Sequence, residues 1–233
     1  AQNNGFTFDV KVSDLQIQLN EAKEKYEHEG ESPVIISLPN HLGKYFKFEV
    51  FKSSVLSKEM ELAYPDFMTY SIHGIDNKLA YGRIFISRFG LQGNLVLGNF
   101  NVILEPVNKQ NPVQHKAYLY DNNESFECLT TGAAVDVKRQ FKGIRSPNGA
   151  TLRTYEIALV ITGEFYQSAN FGNNDTAQAN AAATNIINSI NVYWNHEMSI
   201  LMTIYQNLII NTNPASDPFF LSGGNILSET TSA

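Results

Sequence analysis

The stretch Tyr81–Asn99, YGRIFISRFGLQGNLVLGN, decides the fold class of the first half of the sequence. It contains two runs rich in apolar residues, Tyr81–Ser87 and Gly90–Leu97. Glycine stands at the turn between the runs and again directly after the second run, where the chain must reverse. This pattern predicts two adjacent strands, so a β-sheet is the starting point from which the rest of the chain is interpreted.

More strands are expected on both sides of this pair. Alternating or apolar runs bounded by turn residues predict strands at 6–12, 34–39, 45–51, 69–74, 101–106 and 117–120. A short helix is expected at 57–64, because Pro65 cannot continue it. The sequence therefore predicts a sheet-rich domain over residues 1–130, with one or two helices packed on the sheet.

The first helix of this domain is expected directly after the first strand. Ser13 and Gln16 have the capping-box spacing that begins a helix. Leu15, Leu19, Ala22 and Tyr26 then fall on one helical face. Glycine at position 30 and proline at position 33 are expected to end the helix.

Residues 131–150 break the pattern and are expected to form a linker between two domains. The segment contains Gly143, Pro147 and Gly149. It also holds the basic cluster of the chain, at positions 138–145, which fits a solvated linker or a maturation site.

A different organisation is predicted for residues 151–233. Leu152–Gly163 is a strand with an apolar centre, as in sheets that are buried on both faces. Asp175 is expected to cap a helix that runs from Thr176 to about Glu197, and Ser199–Asn211 follows as a second strand. Strand, helix, strand is a βαβ unit, which is expected to be right-handed. Because two strands alone make a poor domain, this part is expected to be the incomplete N-terminal portion of a larger α/β domain.

The composition argues against several classes of protein. The chain has 17 Lys and Arg against 23 Asp and Glu, a net charge of -6, which gives no electrostatic reason to expect nucleic acid as a partner. No apolar run approaches the ~18–20 residues of a membrane span, so the chain is not expected to span a membrane. A single cysteine, Cys128, cannot form an internal disulfide. The polar start Ala1–Gly5 fits a mature end left after signal removal.

Three segments resemble a known family when they are taken in order. LRTYEIALVITGEFY (152–166) followed by AAATNIINSINVYWNHEMSILMTIYQNLII (181–210) resembles the opening of bacterial reprolysin-like, M12B-type zinc metallopeptidase domains. SSVLSKEMELAYPDFMTYSIHGIDNKLAYGRIFISRFGLQGNLV (53–96) resembles the prodomain of the same proteins. No single motif is highly specific, and the order of the blocks carries the resemblance.

The resemblance has several implications. It implies an α+β chain in which a sheet-rich prodomain precedes the first β-α-β unit of a metzincin-like catalytic domain. It implies a protein that is secreted or on the cell surface, exported by the type IX route of Bacteroidota-type Gram-negative bacteria. The implied partners are the remainder of the chain's own catalytic domain, the secretion machinery and the protein substrates of the parent enzyme. Zinc is implied for the complete parent enzyme, and the family also admits calcium.

The residues that would bind zinc are missing from this sequence. A metzincin carries His-Glu-x-x-His on a helix, so that two histidines hold the metal and the glutamate activates a bound water. The five histidines, at positions 28, 41, 73, 115 and 196, do not have this spacing. His196 and Glu197 match only the first half of the motif, because Ile200 occupies the second ligand position. We therefore expect no catalytic residue and no bound cofactor in this chain alone, and interpret His196 as a helix C-terminal residue that the helix dipole favours.

Two residues remain as candidates for contact with a metal ion. Cys128 could act as a prodomain thiolate that occupies the open coordination position of the catalytic zinc and keeps the enzyme latent. Its other interpretation is a small buried apolar residue on a strand. Glu156 falls where related reprolysin domains carry a calcium-binding glutamate, but a solvent-facing strand residue is the favoured interpretation.

The helix after Asp175 carries an apolar stripe, Ile186, Ile190, Tyr193 and Trp194. We expect it to pack in the core, and to be partly exposed wherever the rest of a catalytic domain is absent. The sequence thus predicts the N-terminal part of a secreted zinc metalloendopeptidase precursor, with a prodomain that assists folding or keeps the protease latent. The alternative is a non-enzymatic secreted or surface protein with a binding or structural role.

Overall fold

The computed structural model describes residues 5–25, 32–120, 151–209 and 213. The described part of the chain is mixed α+β, dominated by one large sheet. Its strands are β1 (Phe6–Asp9), β2 (Lys23–Glu24), β3 (Ile35–Pro39), β4 (Tyr45–Lys52), β5 (Met68–Gly74), β6 (Ala80–Ser87), β7 (Gly90–Leu97), β8 (Phe100–Pro106), β9 (Gln114–Leu119), β10 (Arg153–Ile161) and β11 (Ile200–Ile209). Its helices are α1 (Val12–Leu19), α2 (Lys58–Ala63), α3 (Gly163–Gln167) and α4 (Thr176–Met198).

The first nine strands form a single sheet in the order β1-β9-β8-β7-β6-β5-β4-β2, and β3 also pairs with β4. Every pairing is antiparallel except that of β2 with β4. The predicted pair of strands in Tyr81–Asn99 is confirmed as β6 and β7, which pair from Ala80↔Leu97 to Ser87↔Gly90. Consecutive strands are neighbours through most of this sheet, as expected when short turns connect them.

Helix α1 differs from its prediction at both ends. It begins at Val12, with Lys11 at the N-cap, so Ser13 lies inside the helix and does not cap it. It ends at Leu19 and not near position 30, because the chain at Lys23–Glu24 pairs in parallel with β4. Backbone pairing with the sheet therefore overrides the helical pattern. The short helix α2 agrees with its prediction, and Ser57 caps it by accepting a hydrogen bond from the Met60 amide.

The main core lies on the face of the sheet covered by α1. It comprises buried aliphatic and aromatic side chains from α1 and most strands, among them Leu19, Phe48, Ile72, Leu95 and Leu104. His115 is also buried, and its Nε2 accepts a hydrogen bond from the Leu91 amide at 2.9 Å. The alternating strands place their apolar residues on this inner face, as the sequence pattern predicts.

The predicted βαβ arrangement is present after residue 151. Strands β10 and β11 pair in parallel, and α4 connects them. Asp175 caps α4 as predicted, because its carboxylate accepts a hydrogen bond from the Gln178 amide at 2.9 Å. Ser199 ends the helix in the left-handed conformation, with φ of 54°. The expectation that β10 is a buried strand is wrong for the described part of the chain, because every residue from Arg153 to Val160 is exposed or half-buried and only Ile161 is buried.

The second edge of β11 is covered by the sheet-rich part of the chain. Leu56 forms a parallel bridge with Ile204. The Ile204 amide donates to the Val55 carbonyl at 2.7 Å, and the Ser57 amide donates to the Ile204 carbonyl at 2.8 Å. A second apolar cluster joins the two parts, with Val55, Leu56, Met60, Phe67 and Phe85 on one side and Ala181, Ile187 and Ile204 on the other.

Among the described residues, none of the helices has the length and apolar character that crossing a membrane requires.

Candidate functional site

Helix α4 presents a polar face to the large sheet. Five residues at helical spacing define this polar stripe: Asn180, Thr184, Asn188, Asn191 and Asn195. The first four are buried, and the fifth is half-buried. Their spacing of three or four residues places them on one side of the helix, where α4 contacts β6 and β7. Because buried amides need hydrogen-bond partners, this contact requires polar groups on the sheet.

Arg83 on β6 is the main partner of the polar stripe. Its side chain is only 2% exposed. Nε donates to Asn188 Oδ1 at 2.7 Å, and Nη1 donates to Ser53 Oγ at 2.9 Å. Nη2 donates to the Ser53 carbonyl oxygen. The guanidinium thus ties α4 to the segment that follows β4, through bonds that a charged donor strengthens.

The polar stripe also fixes α4 to its own unit. Asn191 Nδ2 donates to the Met202 carbonyl at 2.8 Å, and the Met202 amide donates to Asn191 Oδ1 at 2.8 Å. The side-chain amide thereby pairs with β11 in the way a neighbouring strand would. Further along the helix, Asn180 Nδ2 donates to the Tyr64 hydroxyl. Separate members of the stripe therefore hydrogen-bond α4 to β11 and to the sheet-rich part.

A small cavity lies where the last turns of α4 meet the sheet. We call it the histidine pocket and define it by six of its lining residues: Lys25, Ser71, His73, Tyr81, Asn195 and His196. Its volume of about 20 Å³ is close to that of one enclosed water. Lys25 Nζ donates to Ser71 Oγ at 2.9 Å and to Asn195 Oδ1 at 3.2 Å. The rings of Tyr81 and His196 stack with their centroids 3.9 Å apart.

Burial makes positive charge unfavourable in this pocket. It lowers the pKa of Lys25 to about 8, with a further contribution from the charge of Arg83. Burial also lowers the pKa of His73 to about 4, and the charges of Lys25, His196 and Arg83 act in the same direction. For His196 burial lowers the pKa, although Glu197 opposes the shift. Both imidazoles are consequently neutral at pH 7, while Lys25 is protonated.

The predicted position of His196 in the last turn of α4 is confirmed. Its environment differs from the prediction, because burial against Tyr81 and the nearby Lys25 charge disfavour the protonated ring that a helix dipole would favour. Glu156 is exposed on β10, which agrees with the solvent-facing interpretation. Cys128 and the expected linker 131–150 lie outside the described residues, so their roles stay predictions.

The apolar stripe of α4 is only partly in the core. Ile190, Tyr193 and Trp194 are half-buried, and Ile186 is 41% exposed. The buried side of the helix is instead formed by small residues and by the polar stripe. Ile186 and Ile187 contribute to an apolar groove of about 200 Å³ between α4 and β10. We define this apolar groove by Leu159, Val160, Ile161, Phe165, Ile186 and Ile187.

The described residues do not supply a set of zinc ligands. Within residues 5–25, 32–120, 151–209 and 213, no group of three or more His, Cys, Asp or Glu side chains is placed to hold a metal ion. The histidine pocket brings together two imidazoles and a lysine without a carboxylate in its lining, which is not a zinc-binding arrangement.

Sequence reasoning missed the polar stripe and Arg83. The stripe carries a signal, since four asparagines and a threonine recur at helical spacing in the helix after Asp175. Arg83 carries none, because it lies 105 positions before its partner Asn188. A search of protein-family models and a search of curated proteins each find no match to this chain.

Proposed function

We propose that this chain is the N-terminal part of a secreted zinc metalloendopeptidase precursor, in which the sheet-rich part is a prodomain and β10-α4-β11 begins the catalytic domain. The proposal rests on the difference between the two edges of the β10–β11 pair, of which one is hydrogen-bonded to the sheet-rich part and the other is open among the described residues. The edge of β11 is bound by residues 55–57, whereas β10 pairs only with β11 among the described residues. A pair of parallel strands with one uncovered edge fits the start of a larger sheet, as the resemblance of 152–166 and 181–210 to a metzincin-like domain implies.

The apolar groove supports the same proposal. It runs beside the uncovered edge, with Val160 46% exposed and Ile186 41% exposed. Burial of such side chains is worth about 1.5–3 kcal/mol each, so the remaining strands and helices of a catalytic domain would gain stability by covering them. In this proposal the zinc ligands and the catalytic glutamate belong to that remaining part.

The contacts between the two parts suggest what the prodomain does. The Ser53–Ser57 segment adds backbone hydrogen bonds to β11, and Arg83 supplies the polar stripe of α4 with a buried donor. A βαβ unit that cannot form a stable sheet alone is thereby held in its folded arrangement. This is the role of a prodomain that assists folding, and the same contacts would keep the protease latent until the prodomain is released.

The test is to express the natural reading frame that contains these residues and to measure the intact mass, zinc content and casein cleavage of its product. We expect a mass well above 26.1 kDa, His-Glu-x-x-His in the added sequence and one zinc per chain. Cleavage should rise after the sheet-rich part is removed. Replacement of the motif glutamate by glutamine controls for contaminating proteases.

A reading frame that ends at Ala233 and yields a 26.1 kDa product without zinc or proteolytic activity would refute the proposal. That result would favour a secreted or surface protein with a binding or structural role. In the complete precursor, Cys128→Ser tests the separate prediction that this thiolate maintains latency. Unchanged latency in that variant would assign Cys128 no role at the zinc.

A further inference from the structure

We propose that the histidine pocket is an acid-sensitive latch, which releases α4 from the large sheet at low pH while the sheet stays folded. This inference goes beyond the proposed function and does not depend on it, because every residue it uses lies in the described part of the chain. It rests on the position of two imidazoles and a lysine around a cavity that exists only while α4 is docked.

The pocket gathers positive groups from different parts of the chain. Lys25 follows β2, His73 lies on β5, Arg83 lies on β6, and His196 lies on α4. Lys25 bridges the two parts through its hydrogen bonds to Ser71 and Asn195. When α4 is docked, a proton added to either imidazole places a third positive charge beside Lys25 and Arg83, in a pocket that α4 closes from water, so docking disfavours the protonated imidazole.

Acidic and phenolic groups near the pocket do not cancel this repulsion at His73. The other charged or titratable groups on the surrounding elements are Glu24 on β2, Glu49 on β4, Tyr70 on β5, Tyr81 on β6, and Tyr193 and Glu197 on α4. Glu49 is the cross-strand neighbour of His73, and its carboxylate accepts a hydrogen bond from the Ser32 amide. Glu197 favours protonated His196, whereas every charged group that shifts the pKa of His73 lowers it. His73 is therefore the group that dominates the response.

The direction of the pH effect follows from linkage. Docking holds the pKa of His73 at about 4, mainly through burial, and undocking of α4 exposes the ring to water and raises its pKa toward the ordinary value of 6.5. The docked state is thus fully stable above pH 6.5 and loses stability as pH falls toward 4. Lys25, with a pKa of about 8, stays protonated throughout this range. At pH 5 the undocked fraction should rise by up to about 30-fold relative to pH 7.5 through His73 alone, the full value applying when undocking restores the ordinary pKa.

Hydrogen exchange on the 233-residue chain tests the latch, with protection factors corrected for the intrinsic pH dependence of exchange. Between pH 7.5 and pH 5.0, we expect protection of the α4 amides (Thr176–Met198) to fall by up to about 30-fold and protection of the β7 amides (Gly90–Leu97) to stay unchanged. Trp194, the single tryptophan, lies on α4 and half-buried, so its quenching by acrylamide should rise over the same pH range.

His73→Gln removes the titrating group, and we expect the acid-dependent loss of α4 protection to disappear in this variant. His73→Phe, which can pack against Phe51, provides a second neutral replacement in case the first does not fold. His41→Gln is the matched control, because His41 lies in the turn before β4 against Phe100, and this variant should respond to acid as the wild type does. An equal loss of protection in α4 and β7, or an unchanged response in both His73 variants, would overturn the proposal.

Discussion

Arg83 donates hydrogen bonds in two directions, to Asn188 on α4 and to Ser53 on the segment after β4. Arg83→Met would keep much of the side-chain volume but remove the donor to Asn188 Oδ1 and to Ser53 Oγ, while the Ser53 carbonyl keeps its hydrogen bond from Thr69 Oγ1. Since a buried polar group left unpaired costs about 1–3 kcal/mol, we expect the free energy of unfolding to fall by about 3 kcal/mol. Urea denaturation followed by circular dichroism measures this loss.

Arg88→Met is the matched control for that measurement. Arg88 lies on the turn after β6, is exposed, and contacts the ring of its neighbour Phe89. Its replacement should change the free energy of unfolding by less than about 0.5 kcal/mol. Equal stability of the two variants would mean that Arg83 does not hold α4 to the sheet in the way its hydrogen bonds indicate.

At the scale of single residues, local roles could be predicted from the sequence and distant partnerships could not. The Asp175 cap is predictable because a cap acts on an amide three residues away. The burial of His73 and Arg83 depends on α4, which begins more than 90 residues later in the chain. No spacing rule links such positions, so the histidine pocket could not be predicted before the structure placed the helix on the sheet.

At the scale of the element, α4 depends on its first turn. The Asp175 carboxylate accepts a hydrogen bond from the Gln178 amide and also faces the positive end of the helix dipole. Asp175→Ala should therefore lower the free energy of unfolding by about 1 kcal/mol. Asp175→Asn retains an accepting oxygen and should lose less than half of that. Chemical denaturation of both variants checks the order, and a loss of equal size would show that capping is not the cause.

The sequence predictions for the two ends of α1 are wrong for the same physical reason. Ser13 has the sequence of a helix cap, yet the helix begins at Val12 because β1 has just ended and the Val10 amide still pairs with the Val113 carbonyl. The same helix ends early because residues 23–24 pair with β4. In both cases backbone hydrogen bonds to the sheet outweigh a local preference of a few tenths of a kcal/mol per residue. Strands β5 to β8 were placed almost correctly because their pattern and their sheet contacts agree.

At the scale of the whole molecule, the two parts meet through two chemically different contacts. The apolar cluster around Phe85, Ile187 and Ile204 gains stability from burial at any pH. The contact through the polar stripe and the histidine pocket gains its stability from hydrogen bonds that depend on which groups are charged. An interface of this composition can be strong at neutral pH and weaken when acid protonates His73. A wholly apolar interface could not respond to pH in this way.

Among the described residues, β10 pairs with β11 alone and leaves its other edge open. An unpaired strand edge beside an apolar groove is a template for association, and Val160 and Ile186 are both exposed there. We expect the chain to self-associate with increasing concentration. Val160→Lys should suppress this association, because a charge on the edge opposes strand pairing and cannot enter the groove.

Leu62→Lys is the control, since Leu62 is 84% exposed on α2 and outside the groove. Sedimentation velocity over a range of concentrations distinguishes the outcomes. If both substitutions reduce association equally, the cause is a general effect of added charge. If Val160→Lys leaves association unchanged, β10 is not the strand that mediates it.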